Sequence, residues 1–365
     1  MDKYMLCGID AHDKTLVCRW AIGKNQPSKK TFENSSSGLR KLFMQLREDS
    51  SPVECSEIIL AYEASSLGFG LYDAISEAGF TCHVLAPHKM RSSSEDRKKK
   101  NDDRDALKVL EELRGHYLAG NKLPDVWIPD HQTRHDRQLV RARLDVADEI
   151  TRVKTKLRMF LKVNGLSVEY QTKGTWTVDY MRGLMKLKGE IQTSLSAVLG
   201  VLIKQLEELE GHRAVLDKQI EELSQTQRYK NPVKTLVQEI CGVQILSAMV
   251  FLTELGDLSR FKNRGQIAAY LGLAPCSFES GQSNDRKGHI TRQGSQRVRK
   301  ILCQCVWTQV RTERGEAEAY RRIVKRNPKK KKIAVVACMR RLGILMWHKA
   351  SQHPPANLNP SKQMA

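Results

Sequence analysis

Asp10 closes the apolar run of CGIDAHDKT, and Glu63 closes that of EIILAYEASS. Each would stand at the C-terminal end of a strand, where a side chain can leave the core. Asp102 and Asp105 lie three apart in KKNDDRDALKVL, near a helix start, a spacing that puts both on one helix face. Four carboxylates brought together repel one another, and divalent cations relieve that cost. Hard Mg²⁺ prefers carboxylate oxygens and keeps positions open for phosphate and water. Two such ions about 3.5–4 Å apart stabilise both the attacking and the leaving oxygen of a phosphodiester. Taken singly each acid has an ordinary reading: Asp10 as a turn cap, Asp102 or Asp103 as a helix N-cap, Glu63 as an arginine partner. The ordered set, each member at an element's end, is what points to cations. Asp103 reads as a solvated N-terminal charge, and Asp13, on a turn, is less suited as a ligand.

A second chemical feature is LGLAPCSFESGQSNDRKGHITRQGSQRVRK. Ser280 is followed by Gly281, which lets another backbone approach closely. Arg286, Lys287, Arg292, Arg297, Arg299 and Lys300 lie downstream as candidate nucleic-acid contacts. A serine hydroxyl becomes a good nucleophile only when deprotonated, and surrounding cations favour the charge that develops. On residue types alone Ser277, Ser283 and Ser295 are equal rivals. Just upstream, EICGVQILSAMVFLTELGD resembles a helix-hairpin-helix, which offers backbone N–H groups to a phosphate. Cys241 stands where proline is common in that pattern, and Gln244 where a second glycine is common.

The elements that would position these groups follow from hydrophobic periodicity. Tyr4–Asp10 and Thr15–Ile22 read as a hairpin around His12-Asp13. Helical spacing spans Ser37–Arg47, Leu71–Ala78 and Asp102–Arg114, with strands at Glu57–Tyr62 and Thr81–Ala86. Residues 1–125 therefore read as an α/β domain with the strand order of an RNase H-like fold. In residues 126–230, one seam runs through Leu139, Val146, Ile150, Val153, Leu157 and Phe160, interrupted by Arg143. A second runs through Leu199, Leu202, Leu206, Leu209, Leu216, Ile220 and Leu223, interrupted by Arg213. Two long helices of this kind suggest an antiparallel or oligomeric coiled coil, or a helical hairpin within one chain. Residues 231–350 read as a mainly helical block that carries the serine as a loop residue, and 351–365 as a disordered tail.

The chain has 365 residues, with 61 Lys and Arg against 41 Asp and Glu, a net charge of +20. Such a balance favours a polyanionic partner. Arg321–Lys332 carries eight cations in twelve residues, including Lys329, Lys330, Lys331 and Lys332. No run of about 18 apolar residues suggests a membrane span, so nucleic acid is the expected partner rather than a membrane. The nine scattered cysteines read as reduced thiols of a cytoplasmic protein.

Together GIDAHDKT, YEASSLGFGLYD, KNDDRDALKVLEELR, VWIPDHQTRHDRQLVRARLD, ICGVQILSAMVFLTELGDLSRF, LGLAPCSFESG and GHITRQGSQRVRKILCQCVW resemble, in this order, the DEDD transposases of a large bacterial insertion-sequence family. That family is known for recombination guided by a bridge RNA. The resemblance covers almost the whole chain. It implies a RuvC-like, RNase H-like domain similar to Holliday-junction resolvases, a coiled-coil middle and a helical C-terminal domain that supplies a serine. Asp10, Glu63, Asp102 and Asp105 match its metal-binding tetrad, implying two Mg²⁺ ions, with Mn²⁺ as an alternative. Ser280 matches its nucleophile, implying a phosphoserine intermediate. Implied partners are donor and target double-stranded DNA, the bridge RNA, and further copies of the chain as homodimer and homotetramer. The setting would be the nucleoid of the bacterial cytoplasm. Asn101 replaces the usual threonine before the third acid, and Cys276-Ser277 a common Ser-Glu. Two rival readings share the motifs: a RuvC-like nuclease or resolvase that uses water, and a non-catalytic nucleic-acid-binding protein.

Overall fold

The computed structural model describes residues 4–51, 57–90, 101–280 and 283–354, and at 277–280 and 283–287 it describes the backbone. The chain divides into two compact units, residues 1–128 and 129–365.

In the first unit β1 (Tyr4–Ala11), β2 (Thr15–Ile22) and β3 (Ser28–Glu33) form an antiparallel meander. After α1 (Ser36–Ser50), β4 (Glu57–Glu63) pairs parallel to β1. Following α2 (Gly70–Glu77), β5 (Thr81–Leu85) pairs parallel to β4. The sheet order is β3-β2-β1-β4-β5. The sheet is buried on both faces, which is why β1 and β4 are nearly continuous apolar runs rather than alternating ones. Met5, Cys7, Ile9, Leu60 and Tyr62 pack with Leu42 and Leu46 of α1 and Ile75 of α2. On the opposite face Leu6, Ile59 and Ala61 pack with Val109, Leu110 and Leu113 of α3 (Asp102–Tyr117).

Gly8 sets how closely α3 approaches. A Cβ there would lie 2.3 Å from the Ala106 carbonyl oxygen and 2.4 Å from the Leu110 nitrogen. The helix backbone thus rests directly on β1, a contact that only glycine permits.

The second unit contains α4 (His131–Val163), α5 (Val178–Glu190), α6 (Thr193–Ser224), α7 (Lys230–Glu239), α8 (Ile245–Leu255) and α9 (Arg264–Tyr270). A two-stranded ribbon follows, β6 (Pro275–Ser280) and β7 (Ser283–Ile290), then α10 (Gln296–Arg311), α11 (Ala317–Arg326) and α12 (Lys331–Ala350). Helix α4 has 33 residues, about 50 Å at about 1.5 Å per residue. Helices α4 and α6 run antiparallel within the chain, burying Ile150, Val153 and Leu157 against Leu199, Ile203 and Leu206. The charges that interrupt the seams are paired there. Arg143 forks onto Asp217 at 2.6 and 3.1 Å, Lys154 meets Glu210 at 3.1 Å, and Arg213 pairs with Glu210 on its own helix. The pattern is a helical hairpin inside one chain, the simplest of the arrangements its seams allowed.

Helix α8 is buried along most of its length, from Ala248 to Leu255. Val140, Leu144 and Ile220 of the hairpin share its core with Leu302 of α10 and Leu342 of α12, so the middle and C-terminal helices form one unit. Glu254 of α8, 5% exposed, is held by Arg141 through bonds of 2.6 and 2.9 Å. Among the described residues no helix is long and apolar enough to cross a membrane. The eight described cysteines are all unpaired. Residues 355–365, where most of the expected tail falls, lie outside the described residues.

Candidate active site

Parallel pairing of β1 with β4 runs up to Ile9 opposite Tyr62. Asp10 and Glu63 are the next residues on these strands, about 4.8 Å apart in the pairing direction. In a parallel pair, residues in register point to the same face. Asp10 follows Gly8, and Glu63 follows Ala61, by two positions, so both lie on the face covered by α3. From Ala106, which meets Gly8, the helix runs back through Asp105 to Asp102. The four acids therefore come from two strand ends and one helix start.

The α3 N-terminus suits a negative cluster. Asn101 is the N-cap, its side chain accepting from the Asp103 amide at 3.1 Å. Asparagine is among the best capping residues. With Asn101 in this role, Asp102 and Asp105 need not cap, and the helix dipole's positive end offsets their charge. Burial holds the Asp10 carboxyl above its ordinary range; the charges of Asp105 and Asp102 push the same way, and His12 opposes them.

Two neighbours are not apparent from the sequence pattern. His12 Nε2 lies 3.1 Å from Asp10 Oδ2 and 3.5 Å from Asp102 Oδ2. Asp103, expected to be solvated, is instead clamped. Arg19 of β2 donates from Nε and Nη2 to its two oxygens at 2.5 and 2.6 Å, and Lys29 of β3 approaches at 3.1 Å. The Arg19 hydrogen bonds hold its carboxyl below the usual range, aided by Lys29. The clamp ties the helix start to β2 and β3. An arginine at an inner strand position was the available signal, since such a charge demands a partner. Asp13 is exposed on the turn.

The donor set fits divalent cations. Asp10, His12 and Asp102 each offer a ligand atom, all within 4.8 Å of one another. Neighbouring ligands of an octahedral ion at about 2.1 Å are about 3 Å apart, close to the two His12 separations. Partial burial of an acid among other acids is a cost that a cation would relieve.

In the second unit Ser280 ends β6, its backbone paired with Ser283 of β7. The expected loop is thus the end of a β-ribbon, and register shifts fall between Pro275 and Ser277 and between Phe278 and Ser280. The side chains of Ser280, Arg286 and Lys287, and the whole of Gly281, lie outside the described residues. Arg292 is exposed, with a φ of 56°. Other expected nucleic-acid contacts have internal partners. Arg299 donates to the carbonyls of Gly294 at 2.6 Å and Leu271 at 3.2 Å. Arg297 binds Asp145 at 2.8 Å, and Lys300 binds Asp148. Lys329, Lys330, Lys331 and Lys332 are exposed where a 3-10 turn meets α12.

The turn between α7 and α8 exists, but two of its amides are engaged. Val243 donates to the Ile240 carbonyl at 3.2 Å, and Gln244 to Ser247 Oγ at 2.8 Å. Gly242, with a φ of 79°, packs against α10, a Cβ there meeting the Cys305 carbonyl oxygen at 3.0 Å.

Residues 7–164 match a family model for DEDD transposases of the IS110 type, and residues 234–322 a model described as the transposase IS116/IS110/IS902 family. The chain is similar to a putative transposase, y4qE, of Sinorhizobium fredii, 29% identical over 276 residues. That alignment covers 76% of this chain and 63% of the relative's length. It is also similar to the transposase for insertion sequence element IS1533 of Leptospira borgpetersenii, 24% identical over 84% of this chain and 86% of the relative. A pilin gene-inverting protein of Moraxella bovis is 29% identical over 143 residues, 38% of this chain and 44% of the relative.

Proposed function

The chain belongs to the DEDD transposases of the IS110 family, and from that premise we propose that it cleaves and rejoins DNA through a covalent serine intermediate. The observation that supports this reading is that Asp10 and Glu63 lie on neighbouring parallel strand ends, on the face covered by the helix whose first turn carries Asp102 and Asp105, with Asp10 and Asp102 in one group of potential ligands. The sheet order β3-β2-β1-β4-β5, a meander followed by two parallel strands, supports an RNase H-like reading of the first unit.

In this reading Asp10, Glu63, Asp102 and Asp105 hold one or two Mg²⁺ ions, with Mn²⁺ as an alternative. Bound there, the ions supply positive charge to the attacking and leaving oxygens of a phosphodiester. Ser280, of this or a neighbouring copy of the chain, loses its proton and attacks phosphorus. The Oγ–P bond forms as the bond from phosphorus to a deoxyribose oxygen breaks, and that oxygen takes up a proton. A hydroxyl of the exchanged strand then attacks the phosphoserine and regenerates the serine. The covalent link conserves the bond's free energy, so rejoining needs no ATP.

The partners in this reading are donor and target duplexes in the bacterial cytoplasm, a bridge RNA, and further copies of the chain as dimer and tetramer. A relative named for inverting pilin genes favours rearrangement over simple cutting. Guidance by RNA fits a chain rich in cations but without a zinc-finger spacing, because base pairing can choose sequence while protein holds backbone. To test it, nucleic-acid-free protein is given donor and target duplexes with Mg²⁺, with and without the transcript flanking the gene. Site-specific strand exchange only with the transcript is expected. Efficient exchange without RNA would make the protein itself the sequence reader. Cleavage at a normal rate by Ser280→Ala would favour the water-using nuclease, and no cleavage under any condition the non-catalytic binder.

A further inference from the structure

The geometry around His12 points to a fifth participant in the carboxylate cluster. We propose that His12 is a direct nitrogen ligand of a cation held by Asp10 and Asp102, and that it biases the site toward Mn²⁺ over Mg²⁺. The inference rests on the cation site proposed above and adds a donor and a metal preference to it.

Three observations carry it. The first is distance: His12 Nε2 is 3.1 Å from Asp10 Oδ2 and 3.5 Å from Asp102 Oδ2. Ligands on adjacent corners of an octahedron around an ion at about 2.1 Å are about 3 Å apart. One small displacement therefore turns a nitrogen that bridges two carboxylates into a nitrogen that shares an ion with them. Secondly, the residue is held in place. The His12 amide donates to the Thr15 carbonyl at 2.9 Å, and its own carbonyl accepts from Asn34 Nδ2 at 2.8 Å. The β1–β2 turn that carries the imidazole is thus fixed from both sides, as a ligand-bearing turn must be. The third observation is access. The His12 side chain is 40% exposed, between Asp10 at 18% and Asp102 at 56%, so an entering ion can reach the imidazole from solvent while Asp10 lies deeper.

The chemistry of the donor sets the preference. Mg²⁺ favours oxygen and holds its water tightly, so an imidazole adds little to its binding. Mn²⁺ also accepts carboxylate and water but tolerates imidazole nitrogen better, and the stronger-binding ions later in the divalent series do so increasingly. A site of two carboxylate oxygens and one nitrogen is therefore tilted away from Mg²⁺ relative to one made of carboxylates alone.

The experiment titrates Mn²⁺, as the chloride, into full-length wild type and into His12→Gln and His12→Ala. Free Mn²⁺ is read by its electron paramagnetic resonance signal, and the bound ion by pulsed measurement of ¹⁴N coupling. Mg²⁺ affinity is measured by competition, and thermal melts report folding. A wild-type Mn²⁺ complex with imidazole ¹⁴N coupling that both variants lose is expected. Losing even an outer-shell partner of a metal costs about 10–100-fold in affinity, so Mn²⁺ binding should fall by at least about tenfold. Mg²⁺ binding should fall by less than about threefold, because oxygen and water dominate it. Bound Mn²⁺ without ¹⁴N coupling would overturn the inference and leave His12 as a hydrogen-bond partner of Asp10, with the carboxylate site intact. Equal losses for both metals would overturn the preference. A wild type that binds neither metal would refute the cation site itself.

Discussion

Asp10 and Glu63 are held by a five-stranded sheet buried on both faces, and the helix carrying Asp102 and Asp105 rests its backbone on Gly8 of the same strand as Asp10. Ser280 ends a two-stranded ribbon whose pairing shifts register twice within six residues. Interlocking contacts fix the spacing of the acids: strand register, a glycine contact, and the Arg19–Asp103 clamp. The ribbon has one partner strand for each of its own. A metal site needs donors fixed to within about 0.5 Å before anything binds, whereas a nucleophile needs its final geometry only once a phosphate is in place. The contrast assigns each unit the part of the proposed chemistry that its construction suits.

The largest effect expected on that division comes from the acids. Asp10→Asn, Glu63→Gln or Asp105→Asn removes one of the proposed ligands with little change in volume. At about 4 kcal/mol of lost transition-state stabilisation, strand cleavage should fall by about 10³-fold or more. The melting temperature should hold or rise, since the cluster is repulsive without a cation. Cleavage within tenfold of wild type would remove that residue from the site.

The placement of Asp10 and Glu63 is legible in the amino-acid sequence because strand ends are legible. An apolar run that stops at a carboxylate, as at Asp10 and Glu63, marks where a buried strand meets solvent. Four of the five sheet strands and α3 lie where periodicity puts them, and the two seams form their hairpin. His12 is not legible, since a histidine in a turn has many uses, and only the packing of α3 on β1 at Gly8 brings Asp102 toward its nitrogen. Asp103 misleads for the opposite reason. Its N-terminal helix position explains it adequately, and its partners Arg19 and Lys29 lie more than seventy residues away in sequence. The ribbon at 275–290 is hidden because its serines, glycines and charges lack the alternation that marks a strand.

The second unit offers a contrast in stability. Arg141→Ala leaves Glu254 buried beside a lost partner, and breaking such a pair costs about 3–5 kcal/mol. Partial exposure of Arg141 and the nearby Arg137 place the expected loss at the low end. Chemical denaturation monitored by the second unit's helices measures it, and a loss below about 1 kcal/mol would show the pair to be dispensable. Burial raises the Glu254 carboxyl's affinity for its proton, but the hydrogen bonds and charge of Arg141 more than offset it, leaving its pKa below the ordinary 4.5. The pair's contribution is therefore complete above that value and is lost as pH falls through the folded one. Acid sensitivity of the second unit should shrink in Glu254→Gln.

A smaller effect tests the clamp. Arg19→Gln frees the start of α3 without touching a carboxylate of the tetrad. Metal affinity should fall by about tenfold, as for other outer partners of a metal site, while Arg19→Lys recovers part of it. Unchanged affinity would mean that α3 is positioned by Gly8 and its core contacts alone.

The smallest effect concerns affinity rather than chemistry. Replacing Lys329, Lys330, Lys331 and Lys332 by Gln should flatten the slope of log K against log salt by at most about 3.6, the value if all four meet duplex phosphates. An unchanged slope would assign DNA binding to other cations of this basic chain.

The proposed division itself is tested most directly by trapping. Full-length protein is incubated with a labelled substrate duplex and its guide RNA, denatured, and examined for label that stays with the chain. The account predicts an adduct that requires Mg²⁺ or Mn²⁺, maps to Ser280 by peptide mass, and is absent from both Ser280→Ala and Asp10→Asn, although both variants still bind DNA. Cleaved DNA with no adduct, or an adduct mapping to another residue, would contradict it.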